Sequence, residues 1–231
     1  MSVEIVTIPL GIDRCQLLRT AEQAILVDAG APGKAPLLAK ALTRNGIAPR
    51  SIRLIVITHG HWDHIGSARA IRDMTGAPIA MHEAEKSWLE QGVVAMPPAL
   101  SRWGRIVAGM LNRWILPSLV IEPAPVTCPL TDDGMDLAPF GFRGRVVSTP
   151  GHSRGSVSVL LEDGNAFVGD LAANGLPMRW GPGMPAFGDD PEVIRASWRR
   201  LLDLGARQIY PAHGAAFPAH ALRRTLTAAQ S

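Results

Sequence analysis

The sequence predicts an α+β protein in which two β-sheets lie together under a covering of helices. Segments typical of strands and of helices are mixed along the 231 residues, and the second half repeats the pattern of the first. No linker separates the two halves. We therefore expect one domain that spans residues 1–231.

The first half is predicted to begin with strands and to continue with alternating helices and strands. The segments VEIVTIPL, CQLLRT and QAILVDAG predict three short strands joined by turns. APGKAPLLAKALTRNGI has helical spacing and ends at Gly46. A strand in SIRLIVITHG, a helix in HIGSARAIRDMTG and a strand in APIAMHE are expected to follow.

Residues 92–126 form a Pro- and Trp-rich region with helical pieces and no regular pattern. Within it, residues 105–121 are the most apolar stretch, but Asn112, Arg113 and Pro117 interrupt them. Such a stretch is a poor membrane span. We expect a cap-like insertion with an amphipathic helix that covers the domain or faces a partner.

The second half returns to strands before two final helices. FRGRVVSTPG, GSVSVLLED and NAFVGDL predict strands, and the Gly/Pro-rich residues 171–189 predict a loop. The next helix should begin at Asp190 and Pro191 and stop at Gly205, because these residue types favour helix ends. A strand in ARQIYPAHG and a last helix complete the chain.

Composition narrows the class of protein. Hydrophobic residues make up 47% and charged residues 19% of the chain, which suits a globular core. The net charge of +3 comes from scattered arginines, a pattern more typical of a solvated surface than of a nucleic-acid site. Cys15 and Cys128 are too few for a disulfide framework and are expected to be reduced. With no secretory signal pattern, these features predict a cytoplasmic protein.

Four ionisable residues crowd the end of the hydrophobic strand SIRLIVI: His59, His61, Asp63 and His64. His59 and His61 can point the same way, because alternate residues of an extended chain share a face. Asp63 and His64 can point to a second position close by. Imidazole and carboxylate are ligands of zinc and similar divalent metals. Burying these groups together without a metal would be costly.

Three further residues of the same type follow other apolar strands. They are His152 in TPGHSRGS, Asp170 in FVGDL and His213 in IYPAHG. Each alone is typical of a turn beside a glycine. Four strand ends with metal-type ligands are better explained by one shared metal site.

The run H-x-H-x-D-H at 59–64, followed in order by His152, Asp170 and His213, resembles the metallo-β-lactamase-fold superfamily. Asp28 in ILVDAG matches the early aspartate of that family. The resemblance covers nearly the whole chain. It implies a four-layer αββα sandwich of two mixed sheets flanked by helices, with metals at one edge between the sheets.

The resemblance also implies a role for each ligand. His59, His61 and His152 would hold a first divalent ion. Asp63, His64 and His213 would hold a second, and Asp170 would bridge both. Asp28 would orient ligands without binding metal. Zinc is expected for both ions, with iron or manganese as alternatives.

Two such ions can share one water and lower its pKa, so that a bridging hydroxide attacks the substrate. Asp63 would orient this hydroxide and later pass a proton, which makes it the expected catalytic residue. Aspartate at position 170 resembles the glyoxalase-II, lactonase, ribonuclease and esterase branches, because true β-lactamases usually carry cysteine or serine there. We expect hydrolysis of a lactone, carboxylic ester or thioester.

Three alternatives remain open. A phosphodiesterase or RNA-processing nuclease would use the same ligands, although the absence of a lysine-rich arm argues against nucleic acid as partner. An iron-dependent member of the superfamily would use oxygen. A non-catalytic binding module is disfavoured by the complete ligand set.

The substrate is expected to be a small molecule with a hydrophobic part. Large apolar side chains in 92–126 and 171–189 would form its pocket, with one arginine at the rim. The tentative pocket residues are Trp103, Trp114, Met178, Arg179, Trp180 and Phe187. Their alternative role is to cover the core or to form a homodimer contact. His82 is expected to be structural, and His220 to lie on the surface.

Overall fold

A computed structural model describes residues 3–176 and 178–228 of the chain. Two six-stranded sheets form its centre. The first sheet has its strands in chain order: β1 (Glu4–Pro9), β2 (Arg14–Arg19), β3 (Ala24–Val27), β4 (Ile52–Val56), β5 (Ile79–His82) and β6 (Cys128–Leu130). Strands β1 to β3 pair antiparallel, and β3 to β6 pair parallel.

The second sheet also has six strands, and neighbouring strands again follow one another in the chain, from β7 to β12. They are β7 (Met135–Asp136), β8 (Gly144–Ser148), β9 (Val157–Leu161), β10 (Asn165–Gly169), β11 (Gln208–Pro211) and β12 (Phe217–Pro218). Only β10 and β11 pair parallel. Both sheets are therefore mixed.

Seven α-helices lie within the described residues. They are α1 (Ala35–Arg44), α2 (Trp62–Ile65), α3 (Ala68–Thr75), α4 (Lys86–Gln91), α5 (Arg102–Trp114), α6 (Pro191–Asp203) and α7 (His220–Ala228). None of the helices in this part of the chain is both long and apolar enough to cross a bilayer.

Alternation along the strands explains the layers. In β4, Leu54 and Val56 face residues of the second sheet, including Val159 and Phe167, in a core between the sheets. Ile55, on the opposite face of the strand, packs in a second core beneath the helices. Because β4 is buried on both faces, its sequence is a continuous apolar run.

Helices cover the outer face of each sheet. Leu38 of α1 and Ile71 of α3 pack on the first sheet. Trp198 of α6 and Leu222 of α7 pack on the second. The αββα sandwich implied by the sequence resemblance is confirmed.

The helix predicted from HIGSARAIRDMTG is interrupted. It divides into α2 and α3 at Gly66 and Ser67, where the chain touches residues 31–34. A Cβ on Gly66 would lie 2.3 Å from the ring of Pro32. The Ser67 hydroxyl donates to the Ala31 carbonyl at 2.6 Å and accepts from the Lys34 N–H at 2.8 Å. This contact holds α2, which carries Asp63 and His64, against the end of β3.

The predicted ends of α6 are close to those observed. The Asp190 carboxylate accepts from the N–H groups of Glu192 and Val193, and so satisfies donors that the first helical turn leaves open. Pro191 is the first helical residue. The helix ends at Asp203, shortly before Gly205, whose φ is +96°.

Candidate metal centre

The ends of four strands meet at one edge of the sandwich. His59 and His61 lie on the loop after β4, with Asp63 and His64 on α2 directly behind. His152, Asp170 and His213 follow β8, β10 and β11 of the second sheet. The Val157 N–H donates to the Thr58 carbonyl at 2.8 Å and joins the two sheets at this edge. All seven predicted ligands therefore come together.

The histidine cluster consists of His59, His61 and His152. One ring nitrogen from each lies within 4.8 Å of the others, and all three side chains are buried. His61 Nδ1 and His152 Nε2 are 2.9 Å apart. The Phe187 carbonyl lies 3.0 Å from His152 Nδ1. A proton on Nδ1 satisfies that carbonyl and leaves Nε2 free as a ligand.

The carboxylate cluster consists of Asp63, His64, Asp170 and His213, again with one ligand atom from each within 4.8 Å. His213 Nε2 lies 3.3 Å from Asp63 Oδ2 and 3.3 Å from Asp170 Oδ2. His64 Nε2 lies 3.4 Å from Asp170 Oδ1. Two carboxylates thus alternate with two imidazoles.

Asp170 stands between the two clusters. Besides its contacts to His64 and His213, its Oδ2 lies 3.7 Å from His152 Nε2 in the histidine cluster. The position follows from its place one residue beyond β10, after Gly169. A Cβ at Gly169 would lie 2.3 Å from the Thr58 hydroxyl, so glycine lets the strand end approach the β4 loop.

Asp28 contacts a ligand of the carboxylate cluster directly and one of the histidine cluster through Thr58. Its carboxylate accepts from the Thr58 N–H at 2.8 Å and from the Thr58 hydroxyl. It lies 3.0 Å from His64 Nδ1. Thr58 Oγ1 in turn lies 3.1 Å from His59 Nδ1. Asp28 itself has a φ of +66°, an uncommon conformation for a residue other than glycine.

The histidine cluster favours neutral imidazoles. Burial lowers the pKa of His59 and of His61 well below the ordinary histidine value, and neighbouring histidines lower both further. Burial also lowers the pKa of His152, despite the opposing effect of Asp170. A neutral imidazole is the form that binds metal.

The carboxylate cluster is charged. Burial alone would lower the pKa of His64 and His213, but nearby carboxylates outweigh it and raise both values well above the ordinary range. Conversely, burial alone would raise the pKa of Asp63 and Asp170. The two histidines outweigh it and lower the pKa of Asp63, and that of Asp170 more strongly.

The ligand atoms themselves indicate that metal ions fit here. Within the described residues, four buried atoms of the two clusters have no hydrogen-bond partner: His59 Nε2, His64 Nε2, Asp170 Oδ1 and His213 Nε2. Buried polar atoms without partners are costly and need an explanation. Nitrogen and carboxylate donors in such an arrangement suit zinc or iron.

Two buried carboxyl groups near the centre were missing from the sequence prediction. Glu85, only 1% exposed, accepts the N–H of Gly60 and that of Gly155. Asp13, 2% exposed, has both oxygens buried without a partner in the described structure. Burial first, and then the charge of Asp63, raise the pKa of Asp13. Neither residue belongs to a recognisable motif.

A cavity of about 30 Å³ opens above Asp63 and Asp170, just large enough for a water molecule. Apolar side chains close it: Ile12, Trp62, Met96, Pro97, Leu111, Met178 and Phe187. Of the six tentative pocket residues, Met178 and Phe187 line this cavity. Trp103, Trp114, Arg179 and Trp180 do not, and Trp180 is 85% exposed.

The remaining histidines lie outside the centre. His82 Nδ1 accepts from the Ala84 N–H, and its Nε2 lies 3.4 Å from Asp132 Oδ1. These contacts fit the structural role that was expected of it. His220 is exposed at the start of α7. Cys15 and Cys128 are both free thiols.

Comparison with known proteins agrees with this geometry. Residues 13–213 match the family model of the Metallo-beta-lactamase superfamily. Probable metallo-hydrolase MJ0888 of Methanocaldococcus jannaschii is 28% identical over 194 residues, which cover 82% of each chain. The chain aligns with about three fifths of the length of its mycobacterial relatives, at 32% identity over 153 residues.

Two solved structures resemble the whole sandwich. The BLEG-1 B3 metallo-beta-lactamase superimposes with a TM-score of 0.70 at 27% identity, covering 94% of this chain and 95% of that one. TTHA1623 in a di-iron-bound form superimposes with a TM-score of 0.64 at 28% identity, covering 96% of this chain and 98% of that one.

Proposed function

The chain belongs to the metallo-beta-lactamase superfamily, and we propose that it is a dinuclear-metal hydrolase whose substrate is a lactone, carboxylic ester or thioester. The observation that carries the proposal is the position of Asp170. Its carboxylate contacts imidazoles of both clusters, at 3.7 Å from His152 and 3.3 Å from His213. Bridging by a carboxylate is the simplest use of such a position.

In this proposal each cluster would hold one ion. His59, His61 and His152 would supply three nitrogens to the first. Asp63, His64 and His213 would supply an oxygen and two nitrogens to the second, and Asp170 would be a ligand of both. Asp28 acts from behind, because its contacts to Thr58 and to His64 Nδ1 orient ligands without reaching the ions.

When bound, two divalent ions supply Lewis acidity to the reacting carbonyl and a water of lowered pKa as nucleophile. The chain supplies the remaining functions. Asp63 lies at the floor of the cavity, where its carboxylate can orient the attacking group and take its proton. The Phe187 carbonyl, 3.0 Å from His152 Nδ1, orients the His152 ring.

The apolar lining favours carbonyl substrates with a hydrophobic part. Met96, Leu111 and Met178 line the cavity together with Asp63 and Asp170. We propose that residues 92–126 act as a cap. In this proposal, movement of these side chains enlarges the space beside Asp63 and Asp170 when a substrate enters. A long polyanion would fit this apolar lining poorly, which disfavours the phosphodiesterase alternative.

Metal identity has two candidates. Zinc suits the nitrogen-rich donors of the histidine cluster. Iron is the second candidate, because the similar protein TTHA1623 has been solved in a di-iron-bound form. Elemental analysis of protein purified without added metal, followed by reconstitution with each metal, separates them.

The test of function is a substrate panel on reconstituted protein. Aryl esters, lactones and thioesters of graded acyl length are compared with bis(p-nitrophenyl) phosphate. We expect turnover of at least one carbonyl class that is abolished by chelation and restored by metal. Preferential cleavage of the phosphodiester would replace the proposed function by the phosphodiesterase alternative.

A further inference from the structure

Large exposed apolar side chains are concentrated in two segments of the described chain. Of thirteen with substantial exposure, nine lie in residues 93–120 or at 176 and 180. They are Val93, Trp103, Ile106, Met110, Trp114, Ile115, Val120, Leu176 and Trp180. Contiguous exposed apolar surface marks an interaction site, whereas scattered apolar residues need no explanation.

Helix α5 presents most of this surface along one stripe. Trp103, Ile106, Met110 and Trp114 are spaced by three or four residues and are 48 to 73% exposed. The opposite side of the helix is buried, with Val107 packed against Ala186 and Phe187. Apolar side chains therefore lie on both the inner and the outer side of α5, although the outer side of a surface helix is normally polar.

The same surface is basic. Arg102, Arg105 and Arg113 are exposed on α5, and Arg179 lies between Met178 and Trp180. The sequence contains no Asp or Glu from 91 to 121 or from 171 to 188. Exposed tryptophans with arginines on an amphipathic helix are typical of segments that lie in the interface of a bilayer. A second copy of this surface would instead oppose like charges.

We propose that the exposed side of α5 docks on an anionic lipid bilayer. Its position gives the docking a consequence. Leu111 on the inner side of α5 lines the cavity over Asp63 and Asp170, together with Met178. A bilayer that draws the outer residues of α5 into its interface would act on the element that closes the site.

Vesicle sedimentation tests the docking without any measurement of activity. The purified chain is mixed with vesicles of phosphatidylcholine alone, or of equal parts phosphatidylcholine and phosphatidylglycerol. We expect binding only to the anionic vesicles, and weaker binding in high salt. Arg105→Gln and Arg113→Gln should each weaken binding about fivefold. The control Arg199→Gln, an exposed arginine of α6, should leave it unchanged.

The apolar contribution is tested by the double variant I106S/W114S, with Leu204→Ser as an exposed apolar control. Binding should fall at least tenfold in the double variant only. In the native protein, anionic vesicles should shift tryptophan fluorescence to shorter wavelength. Failure to bind anionic vesicles would overturn the proposal. So would a concentration-dependent dimer that I106S/W114S dissociates, because the occupant would then be a second copy.

A separate observation concerns Glu85, which joins the two loops of the histidine cluster. Glu85 Oε2 accepts the N–H of Gly60, between His59 and His61, at 2.7 Å. Glu85 Oε1 accepts the N–H of Gly155, three residues after His152, at 2.6 Å. Bonds from N–H groups to a carboxylate are stronger than those between neutral groups.

The packing around this carboxylate is close. A Cβ on Gly60 would lie 2.5 Å from the ring of Trp88, and one on Gly155 would lie 2.9 Å from Glu85 Cδ. The indole of Trp88 also stacks on His61, with ring centroids 5.9 Å apart. The two loops extend from different sheets, so one side chain fixes the spacing between them.

We infer that Glu85 is a positioning residue that holds the histidine cluster in its binding geometry. The inference rests on the metal sites proposed above. Glu85→Gln replaces one accepting oxygen by an amide that cannot accept, so one of the two bonds is lost. We expect the first ion to bind ten- to a hundredfold more weakly, in the range of other residues that orient metal ligands. The second ion should change less than twofold.

Metal affinity is measured by competition with a chelator, in parallel with thermal unfolding of the metal-free protein. Glu90→Gln, four residues after Lys86 on the same segment, is the matched control. If Glu85→Gln weakened the binding of both ions equally, or of neither ion, the positioning role would be overturned. If the native protein itself binds no metal, the proposed function fails and not the role of Glu85 alone. Glu85→Asp, which keeps both oxygens, should recover part of the affinity.

Discussion

The histidine cluster and the carboxylate cluster lie side by side but differ in charge. His59, His61 and His152 are buried among one another, and their pKa values are lowered. His64 and His213 are equally buried, yet carboxylates raise their pKa values well above the ordinary range. Burial is thus common to both clusters, and the neighbouring charges decide the protonation state.

The two clusters therefore differ in the groups that they offer to a metal before any metal binds. The histidine cluster offers neutral nitrogens that need no further deprotonation. The carboxylate cluster balances its own charges, because Asp63 and Asp170 lie 3.3 to 3.4 Å from His64 and His213. Metal at the second position must replace protons that the cluster already holds. Asp170, in contact with both clusters, links the two.

Substitution of Asp170 should have the largest effect on metal binding and hydrolysis. Asp170→Ala removes the carboxylate that lies between the two clusters, so both ions should bind more weakly and hydrolysis should become undetectable. His213→Ala removes a ligand of the second cluster and should chiefly empty that position. Elemental analysis after dialysis measures both. Equal loss of the two ions in both variants would contradict the bridging role.

Asp63→Asn should separate metal binding from catalysis. The amide still offers an oxygen to the second position but cannot take a proton from the attacking group. We expect a loss of about 10²- to 10⁴-fold in kcat, with most of the metal retained. Asp73→Asn, in an exposed ion pair with Arg69, is the control. Near-normal turnover of Asp63→Asn would reject its role.

The charge difference predicts two different pH dependences of metal binding. The lowered pKa values leave the histidine cluster neutral near pH 7, so its affinity should be flat above the ordinary histidine pKa of about 6.5. The raised pKa values keep His64 and His213 protonated there, so affinity of the second position should increase with pH.

The second ion should therefore release more protons on binding than the first. Calorimetry in buffers of different ionisation enthalpy counts the protons released by each ion. Equal proton release by the first and second ion would show that the two clusters do not differ in protonation.

The sequence was sufficient to predict the sandwich and the seven side chains that come together at its edge, because each of them follows an apolar strand and β4 is buried on both faces. It was not sufficient for the charges of the two clusters. Those depend on distances between residues far apart in the chain, such as the 3.4 Å from His64 to Asp170. Glu85 escaped detection because its partners are two backbone N–H groups, which no side-chain pattern reveals.

Only two of the six predicted pocket residues, Met178 and Phe187, line the cavity beside Asp63 and Asp170, for a related reason. Large apolar residues in an irregular segment can point either way, and composition does not distinguish the two. Met178 points to the cavity, whereas Trp114 and Trp180 are 73% and 85% exposed. The direction depends on which side of α5 packs against Phe187, and only the folded structure shows that.

Substitution of Asp28, which orients ligands, should weaken metal binding less than substitution of a ligand. Asp28→Asn keeps the size of the side chain but removes the charge 3.0 Å from His64 Nδ1. We expect the second ion to bind about 10- to 100-fold more weakly. Chelator competition measures the affinity, with Asp163→Asn at an exposed turn as the control. An unchanged affinity would exclude Asp28 from ligand orientation.

The smallest expected effect is that of the cavity-lining side chains of the cap and of Met178 on kcat/KM. Each methylene of an acyl chain that becomes buried should raise kcat/KM by up to about fourfold, equivalent to ~0.8 kcal/mol. Leu111→Ala and Met178→Ala should flatten this rise, because both side chains line the cavity. Trp180→Ala should leave it unchanged with soluble substrates. A flat series in the native protein would exclude an apolar acyl site.

The central claim is that two ions, joined by Asp170, are needed for hydrolysis. Metal-free protein is titrated with zinc while hydrolysis of the best ester or lactone is followed at each addition. We predict that activity increases until two equivalents are bound and then remains constant. Full activity at one equivalent, or no activity at two, would contradict the account.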